Sequence, residues 1–227
     1  MLGLSCHHAD QIRLNRPTIG YCTEMNPFDP RLTPARPDLA AAQLRGKIAA
    51  TAYVEGRAMH VCAGTADLRH APALDAPLAT QALFGEDVML YEDHEGFAWV
   101  QLARDGYVGY MSMAALADGR SAATHRVSVS RTFVYPGPDL KFSARDALPL
   151  GATVRVRATK GAFAQIDDAG FVFSGHLVLD GESQKDFVAV AERLLHAPYL
   201  WGGKTSLGVD CSGLVQISLE AAGIKAP

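Results

Sequence analysis

Apolar residues recur with a period of two in two stretches near the middle of the chain. In the first stretch, Val88 and Leu90 lie two positions apart, as do Val154 and Val156 in the second. Pairs that end in glycine follow these runs, namely Glu95-Gly96, Asp105-Gly106, Lys160-Gly161 and Ala169-Gly170. This pattern predicts half-buried β-strands joined by tight hairpins.

The two stretches match each other, which predicts a duplicated β unit. Gly85 corresponds to Gly151, and Phe97 corresponds to Phe163. A Gly-Glu turn, a Gly-aromatic-x-Trp-Val run and a Gly-Tyr-x-Gly-Tyr run occur in this order in the first copy, and this arrangement resembles bacterial SH3-like (SH3b) modules. We assign SH3b-like domains to residues 58–118 and 119–181.

The spacing of apolar residues changes to that of helices in the last part of the chain. Ser183 and Asp186 form a capping box, and apolar residues follow it at helical spacing, namely Phe187, Val190, Ala191, Leu194 and Leu195. Pro198 is expected to end this helix. A second helix is predicted to begin at Asp210-Cys211 and to end before Gly223, with one face formed by Leu214, Ile217, Ser218 and Ala221.

The beginning of the chain lacks such periodicity. Prolines recur through residues 1–37, which we interpret as an irregular N-terminal extension. Residues 38–57 are predicted to form a short helix and a linker. The helix runs from about Leu39 to Arg45, with Asp38 as its N-cap and Gly46 beyond its end.

Composition narrows the class of protein. The chain has 227 residues, 48% of them hydrophobic and 20% charged, and a formal net charge of −3. These values are typical of a folded globular protein, and they exclude a disordered chain and a strongly basic nucleic-acid binder. No apolar run is long enough to span a membrane, and the first residues do not resemble an export signal, so we expect a cytoplasmic protein. The four cysteines have no metal-ligand spacing, and no cofactor motif is present.

Cys211 is the clearest candidate for a chemically reactive residue. With Asp210 as the helix cap, Cys211 lies in the first helical turn, where unpaired N–H groups and the helix dipole stabilise a thiolate. The small residues Ser212 and Gly213 leave room for a substrate carbonyl. This local argument does not by itself distinguish a nucleophile from a structural cysteine.

The sequence around Cys211 resembles the NlpC/P60 family of cysteine peptidases. Its motifs here are Pro-Tyr-Leu-Trp-Gly-Gly from Pro198 and Asp-Cys-Ser-Gly-Leu-Val from Asp210. With SH3b-like modules upstream, the arrangement is similar to γ-D-glutamyl-L-diamino acid endopeptidases, which implies a murein-derived peptide as substrate and no cofactor. The resemblance implies that Cys211 is the nucleophile and that the Tyr199 hydroxyl helps to stabilise the oxyanion.

The resemblance also implies residues that bind the substrate. Asp210 and Ser212 match positions that contact the free amine and the backbone of the peptide. Tyr107 or Tyr110 in the first SH3b-like unit is expected to close the subsite for the N-terminal L-Ala. We expect Trp201 to be a core aromatic residue and the Gly202-Gly203 pair to serve only the turn.

The predicted fold is mainly β with an α+β C-terminal part: two SH3-like barrels, then the helical start of a papain-like NlpC/P60 domain at residues 182–227. The family places its histidine base after the nucleophile, whereas all eight histidines here precede Cys211. We therefore expect a C-terminally truncated and inactive chain. Five apolar side chains of its helices are expected to be partly exposed unless they dock on the SH3b-like units, namely Phe187, Leu194, Leu195, Leu214 and Ile217.

Two other functions are compatible with these residues. One is an SH3b module that binds wall peptides or a protein partner and carries a vestigial peptidase segment. The other is an acyltransferase or amidase that uses Cys211 on the same scaffold. Oligomeric state is not readable from the sequence.

Overall fold

The computed structural model describes residues 28–167 and 170–226. Within these residues the chain is mainly β, and its two α-helices lie near the C-terminal end. The predicted fold class, mainly β with a helical C-terminal part, is confirmed. Predictions for residues 1–27, including most of the irregular extension, lie outside the described residues.

The short helix predicted from Leu39 to Arg45 is wrong. Strand β1 (Leu39–Ala41) pairs in parallel with β2 (Ala52–Val54), and only a single 3-10 turn (Ala42–Leu44) lies between them. All three residues of β1 are buried, so strand pairing and burial override their helical propensity. Asp38 caps no helix and instead forms an ion pair with Arg36 at 2.8 Å.

The first β unit is a seven-stranded antiparallel sheet with the order β5-β4-β8-β7-β6-β3-β9. Its strands are β3 (Arg57–Val61), β4 (Thr65–Arg69), β5 (Leu78–Leu83), β6 (Asp87–His94), β7 (Phe97–Leu102), β8 (Val108–Ser112) and β9 (Leu116–Asp118). The turn between β6 and β7 has left-handed φ values, 49° at Glu95 and 80° at Gly96, as a tight hairpin requires.

The second β unit consists of three small sheets. Its strands are β10 (His125–Val127), β11 (Arg131–Val134), β12 (Asp146–Pro149), β13 (Thr153–Val154), β14 (Val156–Lys160), β15 (Phe163–Ile166), β16 (Gly170–Phe173) and β17 (Leu177–Leu179). In both units a 3-10 turn precedes the last strand, at Met113–Ala115 in the first and at Ser174–His176 in the second. This shared order supports the duplication that the sequence indicates.

The C-terminal part consists of two helices and a short hairpin between them. These elements are α1 (Phe187–Glu192), β18 (Lys204–Thr205), β19 (Gly208–Val209) and α2 (Cys211–Ala221). The α1 prediction needs two corrections. Its N-cap is Asp186 rather than Ser183, because the Asp186 carboxylate accepts the N–H groups of the first turn. It also ends well before Pro198, since tight turns such as Leu194 N–H to Ala191 O (2.9 Å) replace the helix.

The apolar faces of the two helices pack on the second β unit. Leu194, in the turn just after α1, and Ile217 of α2 are 5% and 1% exposed, and they share one core with residues such as Val127 and Leu148. Docking on an SH3-like unit is therefore confirmed for these two side chains. Phe187 and Leu195 remain exposed.

A cluster of buried and partly buried charges joins α2 to the first β unit. Arg104 donates to Glu220 of α2 at 2.5 Å, and Glu86 Oε1 lies 3.1 Å from Arg104. Neither oxygen of Glu86 accepts a well-formed hydrogen bond among the described residues. Burial raises the pKa of Glu86, and the nearby Arg104 and Lys204 oppose this shift without cancelling it.

We expect Glu86→Gln to stabilise the protein at pH 8, because the neutral amide avoids the cost of burying a charged carboxylate, the same cost that raises the pKa of Glu86. The pKa of folded Glu86 lies above the unfolded value of 4.5, so the wild type loses stability as pH rises above this value. The advantage of the variant should therefore vanish near pH 4. Urea unfolding at both pH values tests this, with the exposed Glu182→Gln as control. An equal effect of Glu86→Gln at both pH values would contradict the assignment.

Candidate active site

Asp210 fixes the beginning of α2 as the sequence predicts. Its Oδ1 accepts the Gly213 N–H at 2.6 Å and the Ser212 hydroxyl at 2.8 Å. Its Oδ2 accepts the Gly202 N–H at 2.7 Å, which ties the preceding loop to the helix. Burial opposes ionisation of Asp210, but these hydrogen bonds outweigh it and lower the pKa of the carboxyl group. Asp210 is therefore a charged N-cap at neutral pH.

Cys211 is the first residue of α2, and its side chain is exposed. A thiol at this position faces the unpaired N–H groups of the first turn. Within the described residues, the Cys211 sulfur has no hydrogen-bond partner. The helix begins close to the loop before it, since a Cβ at Gly213 would clash with the carbonyl oxygen of Gly203. Glycine at position 213 thus allows the first turn of α2 to pack tightly against this loop.

Tyr199 lies beside the segment that leads into α2. It forms an isolated parallel bridge with Val209, two residues before Cys211, and its side chain is 66% exposed. The expected role of the Tyr199 hydroxyl in stabilising the oxyanion stays a prediction. The expectation that Trp201 is a core residue is wrong, because its side chain is 68% exposed at the turn that Gly202 closes with a φ of 75°.

Tyr107 and Tyr110 line one cleft on the first β unit, with a volume of about 300 Å³. The Tyr110 hydroxyl accepts a hydrogen bond from Arg36 at 3.0 Å. The Tyr107 hydroxyl has no hydrogen-bond partner in the part of the chain that is described. Ala79 also lines this cleft and packs against Gly202, so the cleft adjoins the loop that Asp210 holds.

A buried ion pair that sequence reasoning missed joins these two parts of the site. Lys204 Nζ lies 3.0 Å from Asp105 Oδ2, and both side chains are almost completely buried. Asp105 Oδ1 also accepts the N–H of Tyr107 at 3.1 Å. The Lys204 N–H in turn donates to Gln81 on β5. The loop with Tyr199 is therefore fixed relative to the turn with Tyr107, and no local sequence signal links Lys204 to Asp105.

The described residues contain no cluster of His, Cys, Asp and Glu that is suited to hold a metal ion. They include six histidines, of which His176 bonds to Thr132 at 2.8 Å. No histidine among the described residues forms a hydrogen bond with Cys211. None of the described helices is both long and apolar enough to cross a membrane.

Comparisons with known proteins match both the first β unit and the C-terminal segment of the chain. Residues 68–116 match the family model of the bacterial dipeptidyl-peptidase SH3 domain, and residues 196–227 match the NlpC/P60 family. The chain is 27% identical over 183 residues to the gamma-D-glutamyl-L-lysine dipeptidyl-peptidase of Bacillus subtilis. This match covers 72% of the chain and 60% of the relative, so the chain spans less than two thirds of that protein.

Two solved structures share the fold. An NlpC/P60 family protein from Bacillus cereus superposes with a TM-score of 0.64 at 17% identity, over 75% of this chain and 74% of that protein. An NlpC/P60 endopeptidase from Photobacterium damselae subsp. piscicida superposes with a TM-score of 0.57 at 16% identity. That match covers 76% of this chain and 44% of the other. At these identities the likeness concerns the fold.

Proposed function

Because the chain combines a bacterial dipeptidyl-peptidase SH3 domain with an NlpC/P60 segment, we propose that it belongs to a cysteine peptidase that cleaves γ-D-glutamyl-diamino acid bonds in murein-derived peptides. The observation that carries this proposal is the exposed Cys211 at the first position of α2, held by the charged cap Asp210. The curated relative is itself a gamma-D-glutamyl-L-lysine dipeptidyl-peptidase, which supports the substrate class.

In the proposed reaction the Cys211 thiolate attacks the carbonyl carbon of the γ-glutamyl amide. The amine of the diamino acid leaves with a proton, and water then hydrolyses the thioester to release the glutamyl carboxylate. Backbone N–H groups at the start of α2 and the Tyr199 hydroxyl stabilise the oxyanion. The reaction also needs a base to accept the thiol proton, and none of the described histidines is hydrogen-bonded to Cys211.

The cleft beside this turn is proposed to bind the N-terminal end of the peptide. Tyr107 is the better candidate of the two tyrosines, since the hydroxyl of Tyr110 is already used by Arg36. Asp210 Oδ2 accepts one hydrogen bond from Gly202, and its second lone pair is the proposed acceptor for the substrate amine. Ser212 is proposed to contact the peptide backbone from the same helical turn.

Calorimetry of the binding of the dipeptide L-Ala-γ-D-Glu to the purified chain tests the proposed subsite. We expect Tyr107→Phe to weaken binding about fivefold to tenfold, as the loss of one hydrogen bond predicts. Tyr110→Phe is the matched control, and we expect it to change affinity less than about twofold, since its hydroxyl bonds to Arg36. Equal effects of the two variants would contradict the assignment of Tyr107.

Hydrolysis of L-Ala-γ-D-Glu-diamino acid tests the activity. The expectation that this chain alone is inactive stays a prediction, and turnover by the purified chain would overturn it. Dipeptide binding together with an unreactive Cys211 would instead favour the SH3b binding module with a vestigial peptidase segment. The predicted cytoplasmic location also stays a prediction.

A further inference from the structure

A second cleft, with a volume of about 490 Å³, lies between the two β units. Its walls are held rigidly, because the Thr153 N–H donates to the Phe84 carbonyl at 2.9 Å across the two units. The Gly64 N–H also donates to Asp146 Oδ2 at 2.9 Å. A rigid cleft keeps its lining side chains in place before a ligand arrives.

The lining of this cleft is rich in arginine. Arg120 comes from the segment between the units, and Arg155 and Arg157 come from the second unit. Asp167 pairs with Arg157 at 2.7 Å, and Asp87 lies 3.6 Å from Arg120. The guanidinium group of Arg155 has no hydrogen-bond or ion-pair partner within residues 28–167 and 170–226.

The positive charge in this cleft is a local feature. The whole chain has a net charge of −3, so a generally basic surface does not explain it. The carboxylates of Asp87 and Asp167 offset two of the three arginines and leave the charge of Arg155 in excess. A cleft with an excess of one charge sign attracts ions of the opposite sign.

We propose that this interdomain cleft binds an oxyanion, a phosphate or carboxylate group of a small ligand, and that Arg155 is its main contact. The planar guanidinium group presents paired N–H donors that match two oxygens of such a group. The hydroxyls of Ser121 and Thr153, which line the same cleft, offer further donors. Within the described residues, neither C-terminal helix contributes to the lining of this cleft, so the site is separate from the proposed cysteine chemistry.

Calorimetry at low ionic strength tests the site with two probes, inorganic pyrophosphate for phosphate ligands and citrate for carboxylate ligands. We expect at least one probe to bind with a 1:1 ratio. Arg155→Gln should weaken that binding about tenfold, and Arg155→Lys should weaken it less, since it keeps the charge but loses the paired donors. Raising the salt concentration should weaken binding further.

Arg145→Gln is the matched control, because Arg145 is exposed on the same unit and does not line the cleft. Binding of pyrophosphate alone assigns the site to phosphate ligands, and binding of citrate alone assigns it to carboxylate ligands. The proposal is overturned if neither probe binds, or if Arg155→Gln and Arg145→Gln have the same effect. Binding that persists in Cys211→Ala and Tyr107→Phe separates this result from the proposed peptidase function.

Discussion

Lys204→Met is expected to destabilise the folded chain by about 3–5 kcal/mol, the usual cost of removing one partner of a buried ion pair. The side chains of Lys204 and Asp105 are 2% and 3% exposed, so water cannot solvate the carboxylate that remains. The variant would also weaken the contact between the Tyr199 loop and the Tyr107 turn. Equilibrium urea unfolding at pH 7 measures the loss.

Two further variants make this prediction specific. Lys204→Met combined with Asp105→Asn should recover part of the lost stability, because the amide oxygen still accepts the N–H of Tyr107 while the unpaired charge is gone. The exposed pair of Arg57 and Asp118, 3.5 Å apart, provides the control, and Arg57→Met should cost less than about 1 kcal/mol. A Lys204→Met cost no larger than this control would show that the pair does not join the two parts of the site.

The strands and hairpins of this fold are largely predictable from the sequence, because their signals are local. Glu95-Gly96 specifies a hairpin by its own backbone preferences, and Gly85 and Gly151 occupy matching left-handed positions with φ values of 81° and 85°. The burial of β1 depends instead on its pairing with Ala52–Val54, and no local sequence pattern predicts this pairing. Because this pairing is not visible in the local sequence, the predicted helix at Leu39 is wrong.

In the candidate site, too, features set by neighbouring residues are predictable from the sequence, whereas features set by tertiary packing are not. The cap at Asp210 and the position of Cys211 follow from neighbouring residues, and the structure confirms both. The ion pair between Lys204 and Asp105 joins residues that are 99 positions apart, so it emerges only from tertiary packing. The exposure of Trp201 likewise depends on what packs against its loop rather than on its own apolar character.

The second large effect is expected at Cys211. A peptide electrophile that carries L-Ala-γ-D-Glu, with a chloromethyl ketone in place of the scissile amide, should alkylate Cys211 at least about 100-fold faster than Cys62, since binding holds its carbon beside the sulfur. Cys62 is the internal control, because its side chain is exposed like that of Cys211. Cys211→Ser should abolish the fast adduct.

Peptide mapping by mass spectrometry after this alkylation tests most directly whether Cys211 is the nucleophile of a γ-D-glutamyl peptidase. We expect one rapid adduct at Cys211, which forms more slowly with an excess of free L-Ala-γ-D-Glu and more slowly in Tyr107→Phe. Labelling of Cys211 at the same rate as Cys62, with no protection by the dipeptide, would contradict it.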